Sequence, residues 1–418
     1  MSSSATLRAY QIEGVERLIQ ITSRRHAALL ADEPGLGKTI QVCEFINRTH
    51  PDRILIVCPA SLRVNWYNEI TNWVINTFQD IVIVSYEAVA AGKVADRYFD
   101  LAVFDEAHYL KNPKAARTKQ SFAIHATTRL FLTGTPVVNR PMEMYPILKS
   151  CGLKLTKTEY GKRFCGGKLV VVKWRPVKKM AWDFSGASNC DELNSLLREH
   201  LMVRRTKREV LPELPRKIRQ IVETDVRLPE SDDLRSAVSA MFNGFTNAAA
   251  NIKELKQIAF EELSRARLAT AQSKLPHVLQ FAEDLLEEEE KLVIFAYHRE
   301  IVDAIAEHFA DTAVKLYGGM SDKQKNAAVE AFQKGGARVF VGQITAAGTG
   351  LTLTASKTVL FAELDWVPGN VIQCEDRCHR FGQTEPVRIF HITSRGSVDA
   401  RMIKALVNKQ KVIEAVVA

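Results

Sequence analysis

Short apolar runs, rich in β-branched residues and each ending in polar ones, set the narrowest limit on how this chain folds. They come in two blocks. The first holds HAALLA, RILIVCPA, DIVIVSYE, LAVFDEAH and RLFLTGTP; the second holds KLVIFAYH, AVKLYGG, RVFVGQIT, TVLFAEL and VRIFHIT. Runs too uniformly apolar to alternate read as strands buried on both faces, and such strands occur in parallel sheets covered by helices. Helix-like stretches do separate several of them, and residues 7–21 place Leu7, Ile12, Val15, Leu18 and Ile19 at helical spacing. The fold class expected is α/β, with two parallel-sheet lobes and functional groups gathered beyond the strand C-terminal ends. The expected division is a first lobe at 1–205, a linker at 206–227 and a second lobe at 228–418. The first lobe carries a basic insertion at about 140–200 and the second a helical one at about 228–288.

The chain has 418 residues, enough for two or three domains, and its 46% hydrophobic and 25% charged content is that of a globular protein. Cysteines stand scattered at 43, 58, 151, 165, 190, 374 and 378, without the paired spacing of a disulfide framework. That pattern implies reduced thiols. The N-terminus lacks the apolar segment of a secretory signal, and no apolar run is long enough to span a membrane. A net charge of +9 fits a polyanionic partner such as nucleic acid.

Two motifs carry chemistry. DEPGLGKT, residues 32–39, follows the strand-like AALLA and opens a helix. Backbone N–H groups of such a turn, with the helix N-terminus, form an anion cradle around Gly35 and Gly37. Lys38 would reach the β- and γ-phosphates of ATP, and the Thr39 hydroxyl would hold Mg²⁺. The strict pattern wants Gly where this chain has Asp32. LAVFDEAH delivers Asp105 and Glu106 at the end of a buried strand, the first suited to ligating Mg²⁺ and the second to orienting an attacking water. In this order, the two motifs specify a nucleotide triphosphatase.

LRAYQ, DEPGLGKT, CPASL, VSYE, DEAH, LTGTP, FAYH, AAGTGLTLT and QCEDRCHRFGQ follow one another along the chain. In that succession the chain resembles the SNF2 branch of the superfamily 2 helicase-like ATPases. Residues 180–217, AAGTGLTLTAS and FAELDWVPGN resemble its annealing-helicase (HARP-type) branch. The resemblance covers nearly the whole chain and implies RecA-like lobes with a nucleotide cleft between them. Because LRAYQ begins at Leu7, the expectation is a motor close to bare, without a fork-recognition module.

The resemblance also assigns roles. Gln11 would read the adenine, and Gly134-Thr135 would couple the nucleotide site to the second lobe. His108 would bridge the lobes. In QCEDRCHRFGQ, Cys374 and Cys378 beside His379 suggest metal, whereas Gln373, Arg377 and Arg380 form one helical stripe. Tetrahedral zinc needs four ligands, and no second CxxC or HxxxH supplies them. The resemblance assigns the chemistry to the stripe. Arg377 and Arg380 would stabilise charge on the γ-phosphate, with Gln373 and Gly350 on the nucleotide side. Hydrolysis would then require the lobes to close.

Pro59, Ser61, Ser85, Tyr86, Gly348 and Thr349 match motifs that line the family's nucleic-acid track, where contacts to phosphate position without reading sequence. KRFCGGKLVVVKWRPVKKM, with Lys162, Arg163, Lys168, Lys173, Arg175, Lys178 and Lys179, reads as a β-hairpin or flap. Phe164 and Trp174 would be available there for packing or stacking. This segment is either a DNA contact or a solvated basic loop. VRRTKREV resembles the approach to the interlobe linker, and the acidic run at 283–290 reads as a solvated helix face.

Pro34, Glu363, Val367, Gln343 and Ile344 depart from the family pattern. Pro34 donates no N–H to the phosphate loop. The function expected is an ATP-dependent double-stranded-DNA translocase that remodels or reanneals branched DNA, using ATP and Mg²⁺ as a monomer. The rivals are a strand-separating DNA or RNA helicase and a non-catalytic DNA-binding scaffold. The expected location is the cytoplasm of a microbe or virus-infected cell, or a eukaryotic nucleus. Secretion is not expected.

Overall fold

The computed structural model describes residues 7–75, 80–134, 140–173, 179–226, 253–347, 351–365, 367–395, 397, 399–400 and 402–403. By internal contacts these divide into two compact units, residues 7–165 with 187–212 and residues 166–186 with 213–403.

The first unit is built on a parallel sheet. Its strands are β1 (Ala27–Leu30), β2 (Arg53–Cys58), β3 (Asp80–Ser85), β4 (Tyr98–Phe104) and β5 (His125–Leu132). The second unit contains a hairpin of β6 (Lys168–Lys173) and β7 (Lys179–Asp183). The short β8 (Met202–Val203) returns to the first sheet, giving the order β3-β2-β4-β5-β1-β8. The second unit's sheet uses β9 (Lys217–Thr224), β10 (Leu292–Ala296), β11 (Ala313–Leu316), β12 (Val339–Gln343), β13 (Thr358–Phe361) and β14 (Val387–Ser394), in the order β11-β12-β10-β13-β14-β9. Every neighbouring pair in both large sheets is parallel.

The uniform apolarity of the runs is explained by burial. All four residues of β1, all five of β10 and all four of β13 are buried. Val15 and Leu18 of the first helix (Ala9–Arg25), with Phe45 and Ile46 of the helix Lys38–Thr49, cover the first sheet. The long helix Lys253–Glu288 packs on β10 and β14, and its Ala271, Val278 and Ala282 belong to the apolar core there.

All ten runs read as strands are strands. Part of the stretch expected as linker, 206–227, belongs to the units themselves: β9 pairs with β14 along its whole length. The acidic run also does more than solvate a helix face. Glu289 is buried and paired with Arg388 and Lys357, and Glu283 meets His308. No helix among the described residues is long and apolar enough to cross a membrane.

Candidate nucleotide-binding site

Strand order assembles the site in the first unit. β4, β5 and β1 are adjacent, so the segments leaving their C-terminal ends start about 5 Å apart. Those segments are DEAH, LTGT and the glycine-rich loop. In the loop Gly35 and Gly37 hold φ of 92° and 76°, a left-handed backbone that favours glycine. Gly37 caps the twelve-residue helix Lys38–Thr49, whose first N–H groups lack helical partners. Lys38 donates from Nζ to the Asp32 carbonyl at 2.8 Å. Thr39 lies in the first turn beside it, half-buried.

Gln11 is brought to this loop from the first helix. Its Oε1 accepts from the Arg8 N–H at 2.9 Å and its Nε2 donates to the Leu36 carbonyl at 3.2 Å. A Cβ on Gly37 would stand 2.4 Å from that Nε2. Gly134, at the end of β5, closes on the loop from the other side. A Cβ there would lie 2.6 Å from Pro34 Cγ and 3.2 Å from Lys38 Nζ. The proline that departs from the family pattern is thus packed against the LTGT turn. Thr135 lies outside the described residues.

Asp105 is buried at the end of β4. Its Oδ2 accepts from the Trp66 indole N–H at 2.8 Å and its Oδ1 from the Glu106 N–H at 2.8 Å. Burial, then the neighbouring Glu106 carboxylate, raise its pKa to about 6, against the pull of Trp66 and Lys38. Glu106 adopts a left-handed φ of 49°, which turns the chain at the strand end. Its Oε2 lies 3.2 Å from His108 Nδ1, and the same ring nitrogen reaches Thr133 Oγ1 at 3.4 Å. His108 therefore ties DEAH to LTGT inside the first unit.

The motifs read as a nucleic-acid track leave β2 and β3, on the far side of β4. Pro59 is buried, Ser61 half-buried, and the Ser85 hydroxyl accepts from the Ala88 N–H at 3.3 Å as a helix cap. Tyr86 corrects the sequence reading. It is wholly buried, stacked on Tyr109 with centroids 5.3 Å apart, and its hydroxyl donates to the Asp105 carbonyl at 2.8 Å. It supports the carboxylate strand and presents nothing to a phosphate backbone.

In the second unit Gln373 and Arg377 lie on the helix Pro368–Cys378, while Arg380 lies two residues beyond its end. The three do not share one helical stripe as expected. The two arginines nevertheless converge. Arg377 Nη1 donates to the Leu351 carbonyl at 3.2 Å, and Arg380 Nη1 donates to the same oxygen at 2.7 Å. Desolvation, then the Arg377 guanidinium, push the Arg380 pKa down to about 9. Two like charges held together favour an anion beside them. Arg377 also donates to the Gln373 carbonyl at 2.8 Å, and both residues are buried, whereas Arg380 is half-buried. Cys374 and Cys378 are buried in the apolar core, and burial raises both thiol pKa values, that of Cys378 to about 12.

The helix Pro368–Cys378 is fastened by a pair of acids that the sequence reading passed over. Glu375 accepts from Lys217 Nζ at 3.0 Å and from Arg219 Nε at 2.8 Å, and Asp376 pairs with Lys217 at 2.8 Å. Two departures from the family pattern fasten neighbouring loops. Glu363 accepts from the N–H groups of Tyr297 and His298 at 3.0 and 2.8 Å. Gln343 joins the Gly318 N–H to the Tyr297 carbonyl.

The basic insertion does contain a hairpin, with Leu169 opposite Trp182 and Val171 opposite Met180. Lys173 and Lys179 face each other at its described end; Arg175, Lys178 and Trp174 lie outside the described residues, as do Gly348, Thr349 and Gly350. Of the two roles expected for Phe164 the structure shows packing: it is fully buried against Tyr160. The exposed rings and chains are instead Leu169, Met180 and Trp182, on one face.

Comparison with known proteins bears on these arrangements. Over 98% of its length the chain is 33% identical to "SWI/SNF-related matrix-associated actin-dependent regulator of chromatin subfamily A-like protein 1" of Xenopus tropicalis. It is 31% identical over 98% of its length to "DNA annealing helicase and endonuclease ZRANB3" of Homo sapiens. It spans 45% and 40% of those two proteins. A solved structure, the Sulfolobus solfataricus SWI2/SNF2 ATPase core in complex with dsDNA, is similar over 98% of this chain and 92% of that one, with TM-score 0.46 and 22% identity. The helicase conserved C-terminal domain matches residues 273–382. The SNF2-related domain matches residues 10–79 and 75–231, more than half of the chain, which therefore belongs to the SNF2 family.

Proposed function

We propose that this chain is a DNA-dependent ATPase that translocates on double-stranded DNA and remodels or reanneals branched DNA. The observation that carries the reading is the assembly of Lys38, Asp105 and the Gly134 turn at three adjacent strand ends. Strand order brings the glycine-rich loop, the carboxylates and the LTGT turn together there. The relatives named as annealing helicases support branched DNA as the substrate class.

The residues fit MgATP. Positive-φ glycines, an open helix N-terminus and Lys38 suit the phosphates, while the Thr39 hydroxyl and the Asp105 carboxylate would hold Mg²⁺. Bound there, the ion would neutralise charge on the transferring phosphoryl group. Glu106 orients the attacking water, and Gln11 is placed to meet the base. The second unit contributes Arg377 and Arg380 to the same reaction, so turnover depends on both units and can be coupled to movement along DNA. The Pro59–Ser61 and Ser85 loops, with the basic hairpin, supply the phosphate contacts.

ATPase rates with duplex, single-stranded and forked DNA, together with annealing and strand-displacement assays, test the reading. Stimulation by duplex or forked DNA with annealing and no strand displacement is expected. Displacement of a strand would favour the helicase alternative, and no DNA-stimulated turnover would end the motor reading. Charge reversal at Lys178 and Lys179 should flatten the salt dependence of DNA binding.

A further inference from the structure

We propose that Arg205 is a positioning residue for the nucleotide-binding loop, acting through Asp32. The proposal rests on the reading of that loop as an ATP site. Asp32 stands where the strict phosphate-loop pattern has glycine, and it is fully buried. A buried carboxylate is costly unless its oxygens are satisfied, and here both are. Oδ1 accepts from the Arg205 backbone N–H at 2.9 Å and from Arg205 Nε at 3.0 Å. Oδ2 accepts from Gln41 Nε2 at 2.9 Å and from Arg205 Nη2.

The same Nη2 also donates to Gln41 Oε1 at 2.7 Å. One guanidinium therefore grips both ends of the loop, Asp32 where the chain enters it and Gln41 on the helix that leaves it. The planar fork adds a second nitrogen, Nε on Asp32 Oδ1, to the Nη2 that joins Asp32 and Gln41, a two-point grip on the carboxylate that a lysine ammonium does not reproduce. The carbonyl of Asp32 is in turn the acceptor for Lys38 Nζ, so displacing Asp32 displaces the phosphate-gripping lysine.

The surroundings are shaped to this side chain. A Cβ on Gly14 would fall 2.3 Å from Arg205 Nη2, and the Tyr10 ring lies 5.3 Å beneath the guanidinium. The flanking residues bind the same loop. Arg204 Nη1 donates to the Ala31 carbonyl at 2.6 Å, and the Lys207 N–H donates to Glu33 Oε2 at 2.7 Å. This segment follows β8, which pairs with β1, and runs on in sequence to the second unit at residue 213. The loop's shape is thus held by the stretch of chain that precedes that unit.

The test compares Arg205→Met, Arg205→Lys, Asp32→Asn and the double variant Arg205→Met/Asp32→Asn, with Lys38→Ala as the control. Circular dichroism checks folding, N-methylanthraniloyl-ADP reports nucleotide affinity, and duplex-stimulated ATPase separates KM from kcat. Each single variant should raise KM for ATP at least about tenfold with a smaller effect on kcat, and the double variant should be no worse than the worse single. Arg205→Lys should restore only part of the loss. Should Arg205→Met fail to fold, Arg205→Lys carries the test alone, and wild-type KM in it overturns the proposal. Additive effects of the two single variants would overturn it too. If Lys38→Ala abolishes turnover while the Arg205 variants keep wild-type KM, this proposal alone fails. If Lys38→Ala turns over normally, the ATP-site reading fails and takes the proposal with it.

Discussion

The indole N–H of Trp66 donates to Oδ2 of Asp105 at 2.8 Å, tying a helix after β2 to the carboxylate that ends β4. It favours the charged carboxylate, which burial and Glu106 oppose. Trp66→Phe keeps the packing and removes the donor. With Asp105 holding Mg²⁺ as proposed, the half-saturating Mg²⁺ concentration for ATPase should rise about tenfold, as on losing a residue that orients a metal ligand. A Mg²⁺ titration of steady-state turnover at fixed ATP checks this, and an unchanged midpoint would mean the indole serves packing alone.

Gly134 presses against the phosphate loop with no room for a methyl group. In Gly134→Ala the new carbon would meet Pro34 at 2.6 Å and Lys38 Nζ at 3.2 Å, so the loop must move. KM for ATP should increase roughly tenfold. Gly336→Ala is the control, because nothing lies within 4 Å of its added carbon. Equal KM values for the two variants would show that the LTGT turn and the loop move independently.

Most of this fold could be read from the sequence because its strands are buried on both faces and so carry an unbroken apolar signal. The strands missed are those without it. β8 has two residues, and β9, with the sequence KIRQIVET, is an edge strand with seven of its eight residues half-buried or exposed. The lysine and carboxylates proposed for the nucleotide site were legible as short contiguous motifs. Trp66, Arg205, Lys217 and Arg219 were not, because each acts on a motif far from it in sequence and nothing local marks it. Tyr86 was misplaced for a related reason: a tyrosine after a strand can point either way, and burial decided it. The departures at Asp32, Pro34, Gln343 and Glu363 proved to be structural fastenings, visible only once the loops they join were side by side.

His391, on β14, is buried and stacked on Phe361 at 4.9 Å, and burial lowers its pKa to about 4. Its folded pKa lies below the unfolded value near 6.5, so the neutral ring is the form the fold accepts. Stability is therefore intact above about pH 6.5 and is lost as pH falls from there toward 4, by on the order of 3 kcal/mol from this residue. His391→Phe should melt with a flatter pH dependence across that window. Parallel melting curves for variant and wild type would assign the acid sensitivity elsewhere.

Turnover of Arg380→Ala at saturating duplex DNA, beside its affinity for N-methylanthraniloyl-ADP, addresses most directly the proposal that both units serve one nucleotide. Arg380 lies in the second unit and the phosphate loop in the first. If both serve one nucleotide, kcat should fall by about 10³ or more while nucleotide affinity stays near that of the unaltered chain. Hydrolysis at close to the normal rate would mean that the first unit works without the arginine, and that the two halves do not share the reaction.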